Sequence, residues 1–298
     1  MLALLLGVLA WAVIGQDEDA GSRIGAASPT PQGGAANLDL VTRTGPFAPT
    51  LDEVYEDIPD YYTDGCQLTT EDDAPLPAGD CEYGPADGTP VAVLGDSKVG
   101  QWMPALQRIA EVENWRLLFY SRSSCPFATD AVEPECASFV EQVASRLGGE
   151  QQVPLAILSH VAPADAVAAS EAALLTQLHE AAGTRTVAIA DTPQPGIEIP
   201  ECLAAADDYW LDCGFPRHDG SGTPVLRAVV EAVPEAKLLS MNDVICSTGE
   251  RCAPVMDSVL LYRRGSHLTK TFVDAITPVL HQRLIDAGVA NGPVIEPN

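Results

Sequence analysis

The sequence has few basic residues. Its 298 residues include 16 Lys and Arg against 42 Asp and Glu, which gives a formal net charge of −26 at pH 7. The imbalance is greatest over residues 1–90, where the acidic residues are opposed only by Arg23 and Arg43. A surface of this charge repels polyanions, so we do not expect the protein to bind nucleic acid.

The sequence also lacks the spacing of a metal site. None of its eight Cys lies in a C-x-x-C motif or beside a His at ligand spacing, so we predict no metal and no other cofactor. The cysteines follow one another in close pairs, and we expect each pair to form a local disulfide in an oxidising compartment, although other pairings are possible. The pairs are Cys66 with Cys81, Cys125 with Cys136, Cys202 with Cys213, and Cys246 with Cys252.

Residues 1–15 form an apolar run that fits neither ordinary description of such a segment. A membrane helix needs about 20 apolar residues, and a signal peptide usually starts with a basic residue. We predict the end of a transmembrane helix that begins further upstream, or a signal anchor; a buried core helix is the alternative. Asp17, Glu18 and Asp19 follow without a basic neighbour. By the positive-inside rule, the rest of the chain is then membrane-attached and extracytoplasmic.

The remaining chain divides into a linker and one folded domain. The stretch 16–60 begins with a Gly-, Ala- and Pro-rich segment without periodicity, which predicts a flexible linker, and we assign residues 61–298 to the domain. Strands there alternate with helices, which predicts a three-layer α/β/α sandwich with a mainly parallel sheet, as in flavodoxin. The predicted strands are 91–94, 115–120, 155–159, 186–190, 237–240 and 258–262, and the predicted helices are 98–110, 134–147, 165–182, 225–233 and 268–287.

A candidate nucleophile follows the first of these strands. The segment 89–102 predicts a buried strand, a tight turn at Gly95-Asp96-Ser97 and then a helix. Such a serine lies at the carboxyl edge of a parallel sheet with its hydroxyl exposed. The spacing Gly-Asp-Ser-x-x-Gly differs from the G-x-S-x-G elbow of α/β-hydrolases. The tripeptide alone also fits a simple helix N-cap, so it leaves both interpretations open.

One of the five histidines is a candidate general base. His179 and His281 fall within predicted helices and are interpreted as structural, and His218 falls in an irregular, Cys-bearing excursion. His267 follows a predicted strand and precedes a predicted helix. We therefore expect it on the same sheet edge as Ser97, where it could accept the serine proton.

These two motifs together resemble those of a known superfamily. Gly95-Asp96-Ser97 near the start of an α/β domain and Ser266-His267-Leu268-Thr269 near its end resemble the SGNH (GDSL-like) hydrolases. More narrowly, the chain is similar to the extracytoplasmic SGNH domain that is fused to the acyltransferase-3 membrane domain in bacterial surface-polymer O-acyltransferases. Further segments that carry this resemblance are 81–84, 101–106, 123–126, 191–195, 202–203, 245–246, 252–254 and 262–263.

The resemblance implies a role for several residues. Ser97 would be the nucleophile, His267 the base, and the Ser97 N–H part of the oxyanion hole. The family's usual Asp, three residues before the histidine, is here Arg264. The Gly and Asn oxyanion donors of better-known relatives have no clear counterpart. Ser124 and Ser159 occupy roughly the corresponding places and are weaker candidates.

Other polar residues near these motifs could line the site or contact substrate. They are Asp96 and Lys98 on either side of the serine, His160 after the third strand, and Arg264. The charge of Lys98 could stabilise an oxyanion, or Lys98 could be an ordinary residue at the start of a helix, without a role in the site.

The resemblance implies acyl transfer, with an acetyl group expected, to hydroxyls of a cell-surface glycan or cell-wall polymer through a serine ester. The acyl donor would be a membrane acyltransferase domain, either upstream in the same chain or separate, in a bacterial cell envelope. One alternative is a carbohydrate esterase. Another is a catalytically degenerate glycan-binding SGNH module, which the Arg264 replacement favours.

Overall fold

The computed structural model describes residues 46–163, 165–247 and 249–297. The predicted apolar segment at 1–15 and most of the predicted linker lie outside these residues. Within the described ranges, no helix is both long and apolar enough to cross a membrane.

The strands are short outside the centre of the domain. In chain order they are β1 (Glu82–Tyr83), β2 (Thr89–Gly95), β3 (Trp115–Ser121), β4 (Leu155–Ser159), β5 (Arg185–Ile189), β6 (Phe215–Pro216), β7 (Lys237–Leu239), β8 (Arg251–Cys252), β9 (Val255–Met256), β10 (Val259–Leu260), β11 (Tyr262–Arg264) and β12 (His267–Leu268).

The helices alternate with the longer strands. They are α1 (Ser97–Gly100), α2 (Met103–Glu113), α3 (Pro134–Gly148), α4 (Asp165–Ala182), α5 (Ile199–Ala205), α6 (Tyr209–Cys213), α7 (Thr223–Ala232), α8 (Asn242–Ile245), α9 (Lys270–Ala275) and α10 (Thr277–Asp286). Two short 3₁₀ helices, Val54–Glu56 and Asp60–Tyr62, precede the first strand.

A six-stranded sheet in the order β1-β3-β2-β4-β5-β7 forms the centre. Only β1 runs antiparallel to its neighbour; the other pairs are parallel. Side chains of β2 alternate between two cores, with Val91 and Val93 in one and Ala92 and Leu94 in the other. Helices α2, α9 and α10 cover the first core, and α3, α4 and α7 cover the second. The predicted three-layer sandwich with a mainly parallel sheet is confirmed.

The strand predicted at 258–262 does not join this sheet. The chain instead folds back on itself in two hairpins, β9 with β10 and β11 with β12. Asp257, Ser258 and Gly265 have positive φ angles, which produce tight turns after only two or three paired residues. The segment therefore pairs with itself and cannot extend along the central sheet.

Two predicted helices are each divided in two. The segment 98–110 becomes α1 and α2, and the segment 268–287 becomes α9 and α10. A proline lies in the first turn of each second helix, Pro104 and Pro278. Proline has no N–H to continue a preceding helix but fits the first turn of a new one.

The end of the predicted linker packs on the domain. Ala48 N donates to the carbonyl of Ser258, and the side chain of Val54 is buried. Asp57 accepts hydrogen bonds from the N–H and hydroxyl of Thr271 at the start of α9. Residues 46–60 therefore belong to the folded unit, because their apolar side chains and backbone groups find partners there.

The four predicted disulfides are present. Cys66 pairs with Cys81, Cys125 with Cys136, Cys202 with Cys213, and Cys246 with Cys252, at sequence separations of 15, 11, 11 and 6. In the chain-entropy model a closed loop of about 15 residues stabilises a fold by about 3 kcal/mol. The longest of these loops, at Cys66–Cys81, fixes the segment that leads into the sheet.

The glycine three residues after Ser97 is required by packing. A Cβ on Gly100 would lie 2.4 Å from the Tyr61 hydroxyl and 2.7 Å from its ring. Tyr61 is itself held by Tyr62 and Phe119, whose ring centroids are 4.3 and 4.8 Å away. The last position of Gly-Asp-Ser-x-x-Gly is thus explained by this contact with the N-terminal segment.

We expect Gly100→Ala to lower the free energy of unfolding by about 1–3 kcal/mol, because the added methyl group overpacks a buried contact. Gly148→Ala in α3 is the matched control, since no atom lies within 4 Å of a Cβ at that position. It should leave stability unchanged or raise it by about 0.5–1 kcal/mol. Chemical denaturation measures both. Equal stability of the two variants would contradict the packing role of Gly100.

Candidate functional site

The structure brings Ser97 and His267 together. Ser97 begins α1 at the carboxyl end of β2, and His267 lies in β12. His267 Nε2 is 2.8 Å from Ser97 Oγ, which is hydrogen-bonding distance. The sequence predicts His267 at the end of a strand of the main sheet. The residue lies instead on the β11–β12 hairpin.

The backbone before Ser97 is tightly constrained. Gly95 has a φ of +132°, and a Cβ there would lie 2.2 Å from the carbonyl oxygen of Ser159 in the neighbouring strand. Asp96 is buried, and its Oδ1 accepts from Lys98 N at 2.8 Å while its Oδ2 accepts from Val161 N at 3.1 Å. Burial raises the pKa of this carboxyl group above its usual value. Asp96 therefore shapes the turn that presents Ser97.

The backbone after His267 is held by Gln101, in the turn that joins α1 to α2. The N–H of Leu268 donates to Gln101 Oε1 at 3.1 Å. The backbone of Arg264, which lies opposite His267 in the hairpin, acts as a hydrogen-bond acceptor that favours a protonated ring nitrogen. This influence favours the tautomer with its proton on Nδ1, in which Nε2 accepts from the serine hydroxyl.

The surroundings of His267 oppose its protonation. Burial, and then the positive charges of Lys98, Arg263 and Arg264, lower the pKa of His267 to about 3. The neutral ring is thus the dominant form at pH 7 and can accept a proton. A base with so low a pKa has little driving force for proton transfer, because general bases work best near the operating pH.

The side chain of Lys98 is buried next to Ser97 rather than exposed on the surface. Its side chain is 1% exposed, and its Nζ is 3.0 Å from Asp191 Oδ1. The same ammonium group donates to Thr192 Oγ1 at 2.5 Å and to the carbonyl of Ser266 at 2.8 Å. Asp191 and Thr192 were not among the predicted site residues, although their position just after β5 places them at the same sheet edge as Ser97.

The sequence matches a known protein family over most of its length. The model of the SGNH domain that is fused to AT3 domains matches residues 65–282, more than half of the sequence. The chain belongs to this family. No curated protein sequence matches it.

Membership of the family supports an esterase- or acyltransferase-type enzyme. The fusion that gives the family its name also supports a membrane acyltransferase partner and a membrane-attached, extracellular position. The resemblance drawn from the serine and histidine motifs is confirmed at the level of the family.

This SGNH domain has no carboxylate at the usual place beside the histidine. The guanidinium group of Arg264 is exposed and lies over the ring of Tyr55, 5.5 Å from its centroid. Among the described residues, none of the hydrogen bonds of the His267 ring is to a carboxylate. The ring is oriented by backbone in its place.

The remaining predicted site residues occupy different environments. His160 is buried, with its Nε2 2.9 Å from Glu171 Oε2 and its Nδ1 accepting from Ala162 N. Although burial disfavours the charged ring, the Glu171 carboxylate raises the pKa of His160 above its usual value. Of the four residues predicted to line the site, only Arg264 is exposed; Asp96, Lys98 and His160 are buried.

The two serines proposed as oxyanion donors also differ. Ser159 is buried, and its hydroxyl has no hydrogen-bond partner in the part of the chain described. Ser124 is exposed and has a positive φ of 56°. Among the described residues, no hydrogen bond connects either hydroxyl with Ser97.

We expect the His267 ring to remain neutral down to about pH 4, because burial and neighbouring cations lower its pKa to about 3. Histidine-selective NMR across a pH titration measures this. The folded pKa is below the unfolded value of about 6.5, so this histidine disfavours the folded state as the pH falls from about 6.5 towards 3. A midpoint near 6.5 for His267 in the folded protein would contradict the prediction.

Proposed function

We propose that this SGNH domain transfers an acyl group, an acetyl group in the first instance, to hydroxyls of a cell-surface glycan or cell-wall polymer. The transfer passes through an ester on Ser97. The observation that carries the proposal is the 2.8 Å contact between Ser97 Oγ and His267 Nε2 in a chain of the AT3-fused SGNH family.

The first half of the proposed reaction acylates the serine. His267 Nε2 takes the proton of Ser97 Oγ as this oxygen attacks the carbonyl carbon of the acyl donor. The C–O bond forms and the carbonyl oxygen becomes an oxyanion, for which the Ser97 N–H is the proposed hydrogen-bond donor, with Ser124 and Ser159 as weaker candidates. The imidazolium then returns its proton to the leaving group as the donor's acyl bond breaks.

The second half releases the acyl group. An acceptor hydroxyl loses its proton to His267 Nε2 and attacks the Ser97 ester. The ester bond breaks, and the proton passes from the imidazolium to Ser97 Oγ. Water in place of the acceptor hydroxyl would make the same site an esterase, which is the alternative enzymatic function.

The proposed dyad is expected to be slow. A carboxylate beside the histidine normally fixes its tautomer and stabilises the imidazolium; its removal from serine proteases costs on the order of 10⁴ in turnover. Here the hydrogen bond to the Arg264 backbone supports the tautomer, but the charges of Lys98, Arg263 and Arg264 disfavour the imidazolium. Because these charges oppose the imidazolium, a catalytically inactive glycan-binding module is one outcome of the acylation test below.

The proposed setting is the outside of a bacterial cell membrane. The four disulfides suit an oxidising compartment. The acyl donor would be a membrane acyltransferase domain, upstream in the same chain or separate, as the family fusion suggests. The acceptor is proposed as a surface glycan.

We expect incubation with an activated acetyl ester to add one acetyl group to the protein, detected by intact mass, because His267 can deprotonate Ser97. The Ser97→Ala variant should gain none. An equal adduct on that variant would refute the assignment of Ser97. Absence of an adduct on either protein would favour the binding module. Adding a glycan oligosaccharide to the acyl-enzyme separates transfer, which yields acetylated glycan, from hydrolysis, which yields acetate alone.

We expect Arg264→Asp to raise the rate of Ser97 acylation by at least about tenfold, equivalent to about 1.4 kcal/mol of barrier. The new carboxylate would stand opposite His267 in the hairpin and stabilise the imidazolium. Arg264→Asn is the matched control, because it removes the positive charge without supplying a negative one. If Asp is no faster than Asn and the parent, position 264 is not the vacant third member of a triad.

A further inference from the structure

The side chain of Lys98 is a buried ammonium group beside the serine. Taking such a charge out of water costs several kcal/mol unless it is paired and its donors are satisfied. Its Nζ pairs with Asp191 and donates to Thr192 and to Ser266, so the cost is offset by a full set of partners. A surface lysine that merely began a helix would need none of these contacts.

The contacts converge on the residue before His267. The carbonyl oxygen of Ser266 accepts from Lys98 Nζ at 2.8 Å and from Thr192 Oγ1 at 3.1 Å, and the Ser266 hydroxyl lies 3.1 Å from the same ammonium group. The residue after the histidine is held separately by Gln101. The residues on both sides of His267 are therefore held in place. Lys98 and Thr192 bind Ser266, and Gln101 binds Leu268.

Asp191 is a rigid anchor for this arrangement. It is fully buried, and its Oδ2 accepts from the N–H of Gly222 at 3.2 Å. A Cβ on Gly220 would lie only 2.2 Å from that oxygen, so the loop closes directly on the carboxylate. Its backbone carbonyl accepts from Asn242 Nδ2 at 2.9 Å. The residue that neutralises Lys98 is thus held by two segments of the chain, the loop at 220–222 and the start of α8.

We infer that Lys98, Asp191 and Thr192 form a positioning device that holds the Ser266 backbone so that His267 contacts Ser97. This role rests on the proposed function. The three residues touch neither of the reacting atoms, so they are positioning residues and not catalytic ones. They orient the imidazole through the backbone, which is one of the two roles of a triad carboxylate; they do not stabilise the imidazolium.

Lys98 affects His267 through its charge as well as through position, and the two effects can be separated by experiment. The charge of Lys98 lowers the pKa of His267. Removing that charge should therefore raise the pKa of the imidazole and, taken alone, make it a stronger base. If Lys98 acts through position, the same variant becomes slower despite the stronger base.

The test compares two variants. Lys98→Met keeps the length of the side chain without its charge, and Thr192→Val keeps the Lys98–Asp191 ion pair but removes the hydrogen bonds of Thr192 to Lys98 and Ser266. Acylation by an activated acetyl ester gives kcat and KM, and NMR gives the pKa of His267. We expect Lys98→Met to lower kcat by about 100-fold, the order of loss for a displacement of about 1 Å, with little change in KM. The pKa of His267 should rise. Thr192→Val should lower kcat by about tenfold with that pKa unchanged.

Glu113→Gln is the matched control for loss of a buried pair. Glu113 lies 2.6 Å from His281 and also binds the N–H groups of Asn291 and Gly292, away from Ser97. It should lower stability without altering kcat or the pKa of His267. If Lys98→Met does not fold, the double variant Lys98→Met/Asp191→Leu avoids an unpaired buried charge. That variant should still be slow, and acylation at the parent rate by either folded variant overturns the proposal.

The experiment distinguishes failure of the proposed acylation from failure of the positioning role. If the parent protein is not acylated at all, NMR still decides the positioning role. A changed His267 ring environment in Thr192→Val, with an unchanged one in Glu113→Gln, supports the device. An unchanged ring in Thr192→Val refutes it.

Discussion

The close approach of two neighbouring strands at Gly95 is the constraint on which the site depends. The end of β2 lies between the ends of β3 and β4, opposite Ser121 and Ser159. Only a residue without a Cβ fits against the Ser159 carbonyl at the backbone angle that the chain adopts there. From this point Asp96 caps the turn, and Ser97 emerges at the sheet edge with its hydroxyl towards His267. The packing of β2 against β4 thus fixes the position of Ser97 Oγ.

The central part of the fold could be predicted because its signals are local. Strands buried on both faces read as apolar runs, such as 91–94, and amphipathic helices such as 165–182 show their period over many residues. The disulfides joined neighbouring cysteines, so proximity along the chain was sufficient. The family was recognisable from two short motifs about 170 residues apart in sequence that the fold brings into contact.

The remainder of the site depends on contacts that no local pattern encodes. The β11–β12 hairpin has only two or three paired residues, too few for a periodicity, and its turn depends on the backbone angle of Gly265. The ion pair of Lys98 and Asp191 joins residues on different strand ends, and composition does not reveal which way a lysine at a helix start points. The contact between the Arg264 guanidinium and the Tyr55 ring was equally invisible, although the sequence itself shows an arginine in place of the usual Asp.

The packing of the N-terminal segment has a consequence for where this domain begins. The family match starts at residue 65, yet Val54 and Tyr61 are fully buried and the Arg263 guanidinium donates to the Tyr62 hydroxyl at 3.0 Å. A protein shortened to the family boundary would expose the face of α1 that packs on Tyr61 and would lose the hydrogen bond from Arg263 of the hairpin to Tyr62. The folded unit therefore includes residues that precede the family match, among them Val54 and Tyr61.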